Sequence, residues 1–562
     1  MGALIAAKEE SVIVAGIHRW PVQTPDLHEP RLEKKLGVRG FVEPPVDQHK
    51  GDVPVFRFPT MVQCSSCGRL DLHHRLSLPD SNTCNDCDAP LIPSRFVVAC
   101  ELGHIDDFPY FRWVHMGQAP TTEKTTHKMT IESAGESAAL RDVVIRCSCG
   151  LSRTMEDVFD REKMSALRCQ GRRPWLDDTE ECGNPVRTLQ RGASNVYFPQ
   201  VKSALSIPPW SEGALRAINA YWNVFQAIPL DALEATILGM RLSEQTGYEA
   251  SDLAEAVRAR RSGEAHLDVS DFSLRADEYK ALRLGQPEKS AGQEFVCRKA
   301  PGSESIQDIF AQAMIVPRLR EVRALTGFTR LEGPSPDPDD LRLALLSPTK
   351  LDWYPAIEVR GEGVFFRFHE DKISRWELRE DVQARATKIR ENYAHYCRSR
   401  KAQVRRSISA RLLLIHTVAH ALINQWALEC GYPAGSLRER LYVGDMKDPS
   451  AIAGILVYTA TTDSAGSLGG LIGLADLSRL RYSVTEALHR ASWCSADPVC
   501  IETIAAGASS LNLAACHACA LLPEVSCEEQ NVFLDRGMLF GTPEWPEVGY
   551  FGRYGAGVIA LG

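Results

Sequence analysis

The spacing of hydrophobic and polar positions changes several times along the 562 residues. Residues 11–20, Ser-Val-Ile-Val-Ala-Gly-Ile-His-Arg-Trp, concentrate β-branched side chains and predict a strand, followed to about residue 60 by proline-punctuated segments. Between 61 and 200 regular periodicity gives way to cysteines and turn residues, which predicts a loop-rich region. From 211 to 330 apolar residues return at helical spacing, above all over 213–242 and 306–325, predicting a mainly helical stretch with short strands. The proline-rich stretch 333–340 reads as a linker or surface loop. Beyond it, 363–369 predicts a strand and 384–427 a helix with few breakers. A buried strand is expected over 454–459, running into the glycine-rich turn 464–470 and a helix from about Leu471. The fold class implied is α+β and multidomain. Its parts are a β-rich segment 1–60, a zinc-ribbon-like region 61–200, a mainly helical middle 201–380, an α/β region 381–540 and a tail 541–562.

Composition narrows the class of protein. Hydrophobic residues make up 44% and charged residues 24%, as in ordinary globular chains, and the formal charge of −8 excludes a globally basic, histone-like binder. The apolar run 3–7 has no basic segment before it and does not read as a secretory signal. The longest apolar stretch, 412–428, is interrupted by His416, His420, Asn424 and Gln425, too polar for a lone membrane span. A cytoplasmic, reducing setting is expected, in which paired cysteines favour metal over disulfide.

The 17 cysteines carry the chemistry. Cys64-Ser-Ser-Cys67 and Cys84-Asn-Asp-Cys87 are two knuckles at zinc-ribbon separation, each turning the chain so that both thiolates face one tetrahedral ion. Cys147, Cys149, Cys169 and Cys182 form a second candidate set, with a redox pair as the alternative. The third draws on Cys494, Cys500, Cys516, Cys519 and Cys527, with the first four preferred and Cys527 or His517 as substitutes. Three structural Zn²⁺ ions follow, each worth about 10–16 kcal/mol of folding free energy. Cys100, His104, Asp106 and Asp107 lie close enough in sequence for a fourth metal or catalytic site, set against a turn with capping carboxylates.

No Gly-Lys-Ser or Gly-Lys-Thr occurs, so this chain carries no P-loop. His416-Thr-Val-Ala-His420 has zincin spacing, but Thr417 stands where the general-base Glu belongs, which leaves core histidines as the simpler explanation. Gly466-Ser-Leu-Gly-Gly470 is either a phosphate cradle or a plain tight turn. Between 385 and 411, Arg385, Lys388, Arg390, Arg398, Arg400, Lys401, Arg405, Arg406 and Arg411 face the single acid Glu391, with Tyr393, His395 and Tyr396 interleaved. Such a stripe is either a phosphate-tracking surface with stacking platforms or a solvated helix face.

Several motifs in order resemble known families. The run 413–422, Leu-Leu-Ile-His-Thr-Val-Ala-His-Ala-Leu, followed by Gly431-Tyr432, 436–442, 454–459, 467–471 and the last cysteines, resembles the zinc-binding domain of MrfA-type helicases. Upstream, Ser-Arg-Phe-Val-Val-Ala-Cys-Glu-Leu-Gly-His-Ile-Asp-Asp-Phe-Pro at 94–109 and Arg-Gly-Ala-Ser-Asn-Val-Tyr-Phe-Pro at 191–199 resemble the DrmB family of the DISARM anti-phage system. The resemblance runs from Ser11 to about Arg536. It implies a non-catalytic subunit, paired in a heterodimer with a DrmA-like helicase and engaging phage DNA through that complex. Two alternatives remain: an adaptor that grips the helicase without touching DNA, and a metal-dependent hydrolase or nuclease built on His104, Asp106 and Asp107 or on His416 and His420.

Overall fold

The computed structural model describes every residue except 8–9, 22–23, 48–50, 79–80, 119–126, 134–138, 209–212, 267–269, 289–292, 334–341, 400–402, 405, 445–451, 460–468, 508–509 and 553–562. The linker expected over 333–340 and the glycine-rich turn 464–470 therefore lie almost wholly outside the described residues. Chain contacts define two units. The first comprises Met1–Pro25, Phe41–Lys202 and Ala324–Ala356; the second comprises Asp26–Gly40, Ser203–Arg323 and Ile357–Gly562. The expected segments 1–60 and 201–380 are thus each divided between units.

Short antiparallel strands dominate the first unit. Leu4–Ala7, Glu10–Val14 and Val55–Arg57 form one sheet, and the strand expected over 11–20 stops at Val14, ahead of Gly16 and the 3₁₀ turn Ile17–Arg19. A six-stranded sheet has the order Ser152–Thr154, Val143–Cys147, Met129–Ser133, Arg69–Leu72, Met61–Cys64, Leu91–Pro93. A third pairs Phe96–Ala99 with Ile105–Asp107 and Arg187–Gln190. Successive side chains of a strand point to opposite faces, so Phe96 and Val98 enter one core with Trp113 and Ile145. Val97 and Ala99 enter another with Trp20, Trp175 and Phe328.

In the second unit, residues 363–367 at the end of the strand Trp353–Arg367 pair with Ala453–Thr459, Phe365 opposite Leu456, and that strand pairs with Leu437–Val443, Ile455 opposite Leu441. The helix expected over 384–427 is two helices, Glu380–Ser399 and Ala410–Cys430, the second opened by the Ser409 side chain, which accepts from the Leu412 N–H at 3.1 Å. Ala410–Cys430 is apolar nearly all round and buried with Leu480–Ala491 and both central strands. The helical spacing over 213–242 resolves into short helices, Gly213–Asn219, Trp222–Ala227 and Leu233–Gly239, which share a separate core with Leu253 and Val257.

Over 306–325 the helical expectation is overturned: after the 3₁₀ turn Ser303–Ile306, Gln312–Thr329 is one 18-residue strand. Both its faces are buried. Ala313 and Ile315 enter the main core, while Met314, Val316 and Leu319 enter a second one on the opposite face. Burial on both sides erases the period-two signature, and Arg320 and Glu321, buried by ion pairing, break it further. Pro317, a poor helix residue, was the sequence signal against a helix. Among the described residues, no helix is long and apolar enough to cross a membrane.

Candidate metal centres

Strand ends and tight turns bring the cysteines together. Met61–Cys64 ends on the first knuckle, where the N–H groups of Ser66 and Cys67 each donate to Cys64 Sγ at 3.4 Å. Cys84-Asn-Asp-Cys87 is closed by Cys84 N–H to the Ala89 carbonyl at 2.8 Å, with Asp88 in the left-handed region at φ 57°. The sulfurs of Cys64 and Cys87 stand 3.4 Å apart and those of Cys67 and Cys84 3.9 Å apart. Thiolates at 2.3 Å from a tetrahedral zinc lie about 3.8 Å from one another. All four sulfurs lie within 4.8 Å of one another, a spacing that could hold a tetrahedral zinc ion. The N–H donors beside Cys64 outweigh its burial and hold its thiol down at about 7.

The set Cys147, Cys149, Cys169 and Cys182 is not brought together; each pair joins ligands from elsewhere. Cys169 and Cys182 meet Cys100 and His104. Cys100 follows directly on Phe96–Ala99, and Gly103, at φ 83°, turns the chain so that His104 Nδ1 reaches Cys100 Sγ at 3.4 Å. His104 Nε2 is held at 2.6 Å from a Glu180 carboxylate oxygen, the arrangement that orients a metal-binding imidazole. A hydrogen bond from Cys169 pulls the Cys100 thiol down to about 4 despite burial, and its neighbour Cys169 is pushed far up. Crowded thiols that cannot all ionise unaided are the donor chemistry a divalent ion satisfies.

Cys147, at the end of Val143–Cys147, and Cys149 meet His115 and His127. His127 Nδ1 lies 3.0 Å from Cys147 Sγ and His115 Nε2 3.3 Å from Cys149 Sγ, while His115 Nδ1 bonds to the Phe111 carbonyl at 2.7 Å. These two histidines went unrecognised because no local spacing links them to the Cys-x-Cys pair. The available signal was indirect: two pairs, each lacking half a tetrahedron.

Cys494, Cys500, Cys516 and Cys519 do assemble, with sulfurs 3.5 Å apart for Cys494 and Cys516 and 3.7 Å for Cys500 and Cys519. Asp497 accepts from the N–H groups of Cys494 at 2.9 Å and Ile501 at 3.0 Å, and Arg536 anchors it at 2.7 Å. Cys527 is not part of this group; it lies against His416.

Among the described residues, most cations of the basic stripe are engaged within the protein. Arg385 is buried and makes a two-pronged pair with Asp535, both bonds 2.7 Å. Arg406 grips Glu529 and Arg411 grips Glu377; Arg390 donates to the Ile408 carbonyl at 2.8 Å and to Gln383 at 2.9 Å. Lys388 sits 3.8 Å from Glu544 and over the Trp545 ring. Arg385 and Arg406, expected as phosphate contacts, are corrected to structural ion pairs. Arg385 lies on the face of Glu380–Ser399 that packs into the core, where a guanidinium is stable only when paired, and Arg406 lies in the segment between that helix and Ala410–Cys430. Arg398 is exposed, and Arg400, Lys401 and Arg405 lie outside the described residues. The groups considered for hydrolysis do not converge: Asp106 pairs with Arg172 at 2.8 Å, Asp107 accepts from the Met61 N–H at 2.8 Å and from Thr60, and His416 and His420 are fully buried.

Comparison with known proteins agrees with this cysteine-organised architecture. Residues 1–198 match a family described as a domain of unknown function, DUF8724, and residues 418–520 match the MrfA Zn-binding domain. The DISARM protein DrmB of Bacillus paralicheniformis is 31% identical over 553 residues, covering 95% of this chain and 97% of that protein. The chain belongs to the DrmB family. In this DrmB-family chain the MrfA-type match contains all of Cys494, Cys500, Cys516 and Cys519, whereas the other three clusters lie within the first 198 residues.

Proposed function

We propose that this chain is the accessory subunit of a DISARM-type defence complex, a zinc-stapled platform that works with a separate helicase on phage DNA and supplies no nucleotide hydrolysis itself. The observation that carries this is the near full-length relationship to a DISARM DrmB protein; the missing Gly-Lys-Ser/Thr supports a motor supplied by another chain. Four Zn²⁺ ions are assigned: Cys64/Cys67/Cys84/Cys87, Cys100/His104/Cys169/Cys182, His115/His127/Cys147/Cys149 and Cys494/Cys500/Cys516/Cys519. Each set provides four protein ligands and leaves no position for reactive water, so their role is to hold loops in place. DNA contacts are assigned to Arg398, which is exposed, and to Arg400, Lys401 and Arg405.

The internal pairing of Arg385, Arg406 and Arg411 favours a second reading, an adaptor that binds the helicase and leaves DNA to it. A salt series separates the two. The protein is titrated with single- and double-stranded DNA, alone and with its helicase, as wild type and as Arg400→Glu/Arg405→Glu. The platform reading predicts binding that weakens steeply with salt and a shallower salt slope in the variant. Binding seen only with the helicase and indifferent to the reversal establishes the adaptor.

A further inference from the structure

A fifth donor group lies in the second unit, outside the four clusters above. Leu437–Val443 is a two-faced strand: Arg440 points to one side, where Glu278 takes it in two 2.7 Å bonds, and Glu439 points to the other. There Glu439 meets two histidines one turn apart on Ala410–Cys430, and Cys527. His416 Nε2 is 3.2 Å from Glu439 Oε1 and 3.2 Å from Cys527 Sγ, and His420 Nε2 is 3.6 Å from Glu439 Oε2. All four residues are buried, and both histidines and Glu439 have no exposed side-chain surface.

Three features distinguish this group from an ordinary buried hydrogen-bond network. His420 Nδ1 bonds to the Ala520 carbonyl at 2.7 Å; a carbonyl only accepts, so the proton is on Nδ1 and the Nε2 lone pair is aimed into the cluster. That Nε2 and Glu439 Oε2 have no hydrogen-bond partner, although a buried polar atom left unpaired is costly. Cys527 Sγ accepts from the Asn531 N–H at 3.2 Å, as Cys64 Sγ does from its own knuckle, and Glu439 Oε1 accepts from the Glu528 N–H at 3.0 Å. Backbone donors thus support the anionic groups from outside while the lone pairs converge inside.

We propose that His416, His420, Glu439 and Cys527 bind a fifth Zn²⁺ ion, a closed structural site with two imidazoles, one carboxylate and one thiolate. Zinc accepts nitrogen, oxygen and sulfur in one tetrahedron, and four protein ligands without solvent access leave it no catalytic position. His416 and Cys527 both fall outside the matched 418–520 region, so the site ties that region to what precedes and follows it. The ion fastens the buried helix, the strand carrying Arg440 and the segment beyond the Cys516 knuckle to one another. This inference is independent of the DNA and helicase assignments.

The decisive experiment is an anomalous difference map at the zinc edge from crystals of the full chain. A peak within bonding distance of all four residues is expected; peaks at the cysteine clusters with none among His416, His420, Glu439 and Cys527 would overturn the proposal. In solution, zinc per chain is measured for wild type, Cys527→Ser and Glu439→Gln. Each variant is expected to lose one equivalent, whereas an unchanged zinc content in a folded variant counts against the site. Should the variants fail to fold, the wild-type map decides.

Discussion

A single methyl group tests how closely the backbone is fitted around the metal ligands. Gly171 has φ 70°, and a Cβ there would stand 1.7 Å from the Glu180 carbonyl oxygen, while its N–H donates to Cys169 Sγ at 3.3 Å. Gly171→Ala is therefore expected to destabilise the first unit by about 2 kcal/mol or more and to speed zinc loss from the Cys100 cluster, read with a chromogenic chelator. Gly183, beside Cys182, has open space around it, so Gly183→Ala should release zinc at the wild-type rate. The same scale decides the status of Arg385. Removing the partner of a buried, doubly bonded guanidinium costs about 3–5 kcal/mol, so Asp535→Ala should lower the denaturation midpoint strongly and Arg398→Ala hardly at all. Equal stability of both variants would return Arg385 to the pool of free cations.

At the scale of elements, the two-faced strands carry charge into the interior. Glu321 on Gln312–Thr329 accepts from Arg323 at 2.7 Å, Arg440 at 3.3 Å and the Tyr458 hydroxyl at 3.0 Å. Burial alone would raise its pKa, but Arg323, Arg440 and Arg438 outweigh it and hold the carboxyl at about 2, against an ordinary 4.5. A depressed folded pKa contributes stability above the unfolded value, lost as pH falls toward the folded one. Wild type should therefore lose up to about 1.4 kcal/mol per pH unit more than Glu321→Gln between pH 4.5 and 2, measured by urea unfolding. This buried pairing also explains why the strand was hidden in the sequence, since charged residues inside a core mimic a helix's polar face. The short, punctuated elements were legible. Gly454–Thr459, though buried on both faces, is an apolar run without charge that leads into a glycine-rich stretch, and the Cys64 and Cys84 knuckles carry their geometry in adjacent residues. His115, His127 and the match of Cys100 with Cys169 were not, because these groups meet across 20 or more residues of chain and no local spacing records that meeting.

For the molecule as a whole, metal and apolar packing divide the work unevenly between the two units. Three of the four assigned clusters lie in the first unit, whose strands in the six-stranded sheet run only three to five residues and end on ligands such as Cys64 and Cys147. A structural zinc is worth about 10–16 kcal/mol, comparable with the whole net stability of a domain, so these sheets should not survive its removal. In the second unit Cys494, Cys500, Cys516 and Cys519 bracket short turns, while Ala410–Cys430 and Ala453–Thr459 are enclosed by apolar side chains that surround the proposed His416/His420/Glu439/Cys527 site and keep these elements packed without its ion. Hydrogen exchange in the presence of a strong chelator at neutral pH should then proceed in order. Amides of Met61–Cys64, Arg69–Leu72 and Val143–Cys147 lose protection first and residues 494–519 follow, while Ala410–Cys430 and Ala453–Thr459 stay protected. Simultaneous loss of protection throughout both units would mean that the apolar core of the second unit is itself metal-dependent. Retention in the first would mean that its cysteines do not hold it together.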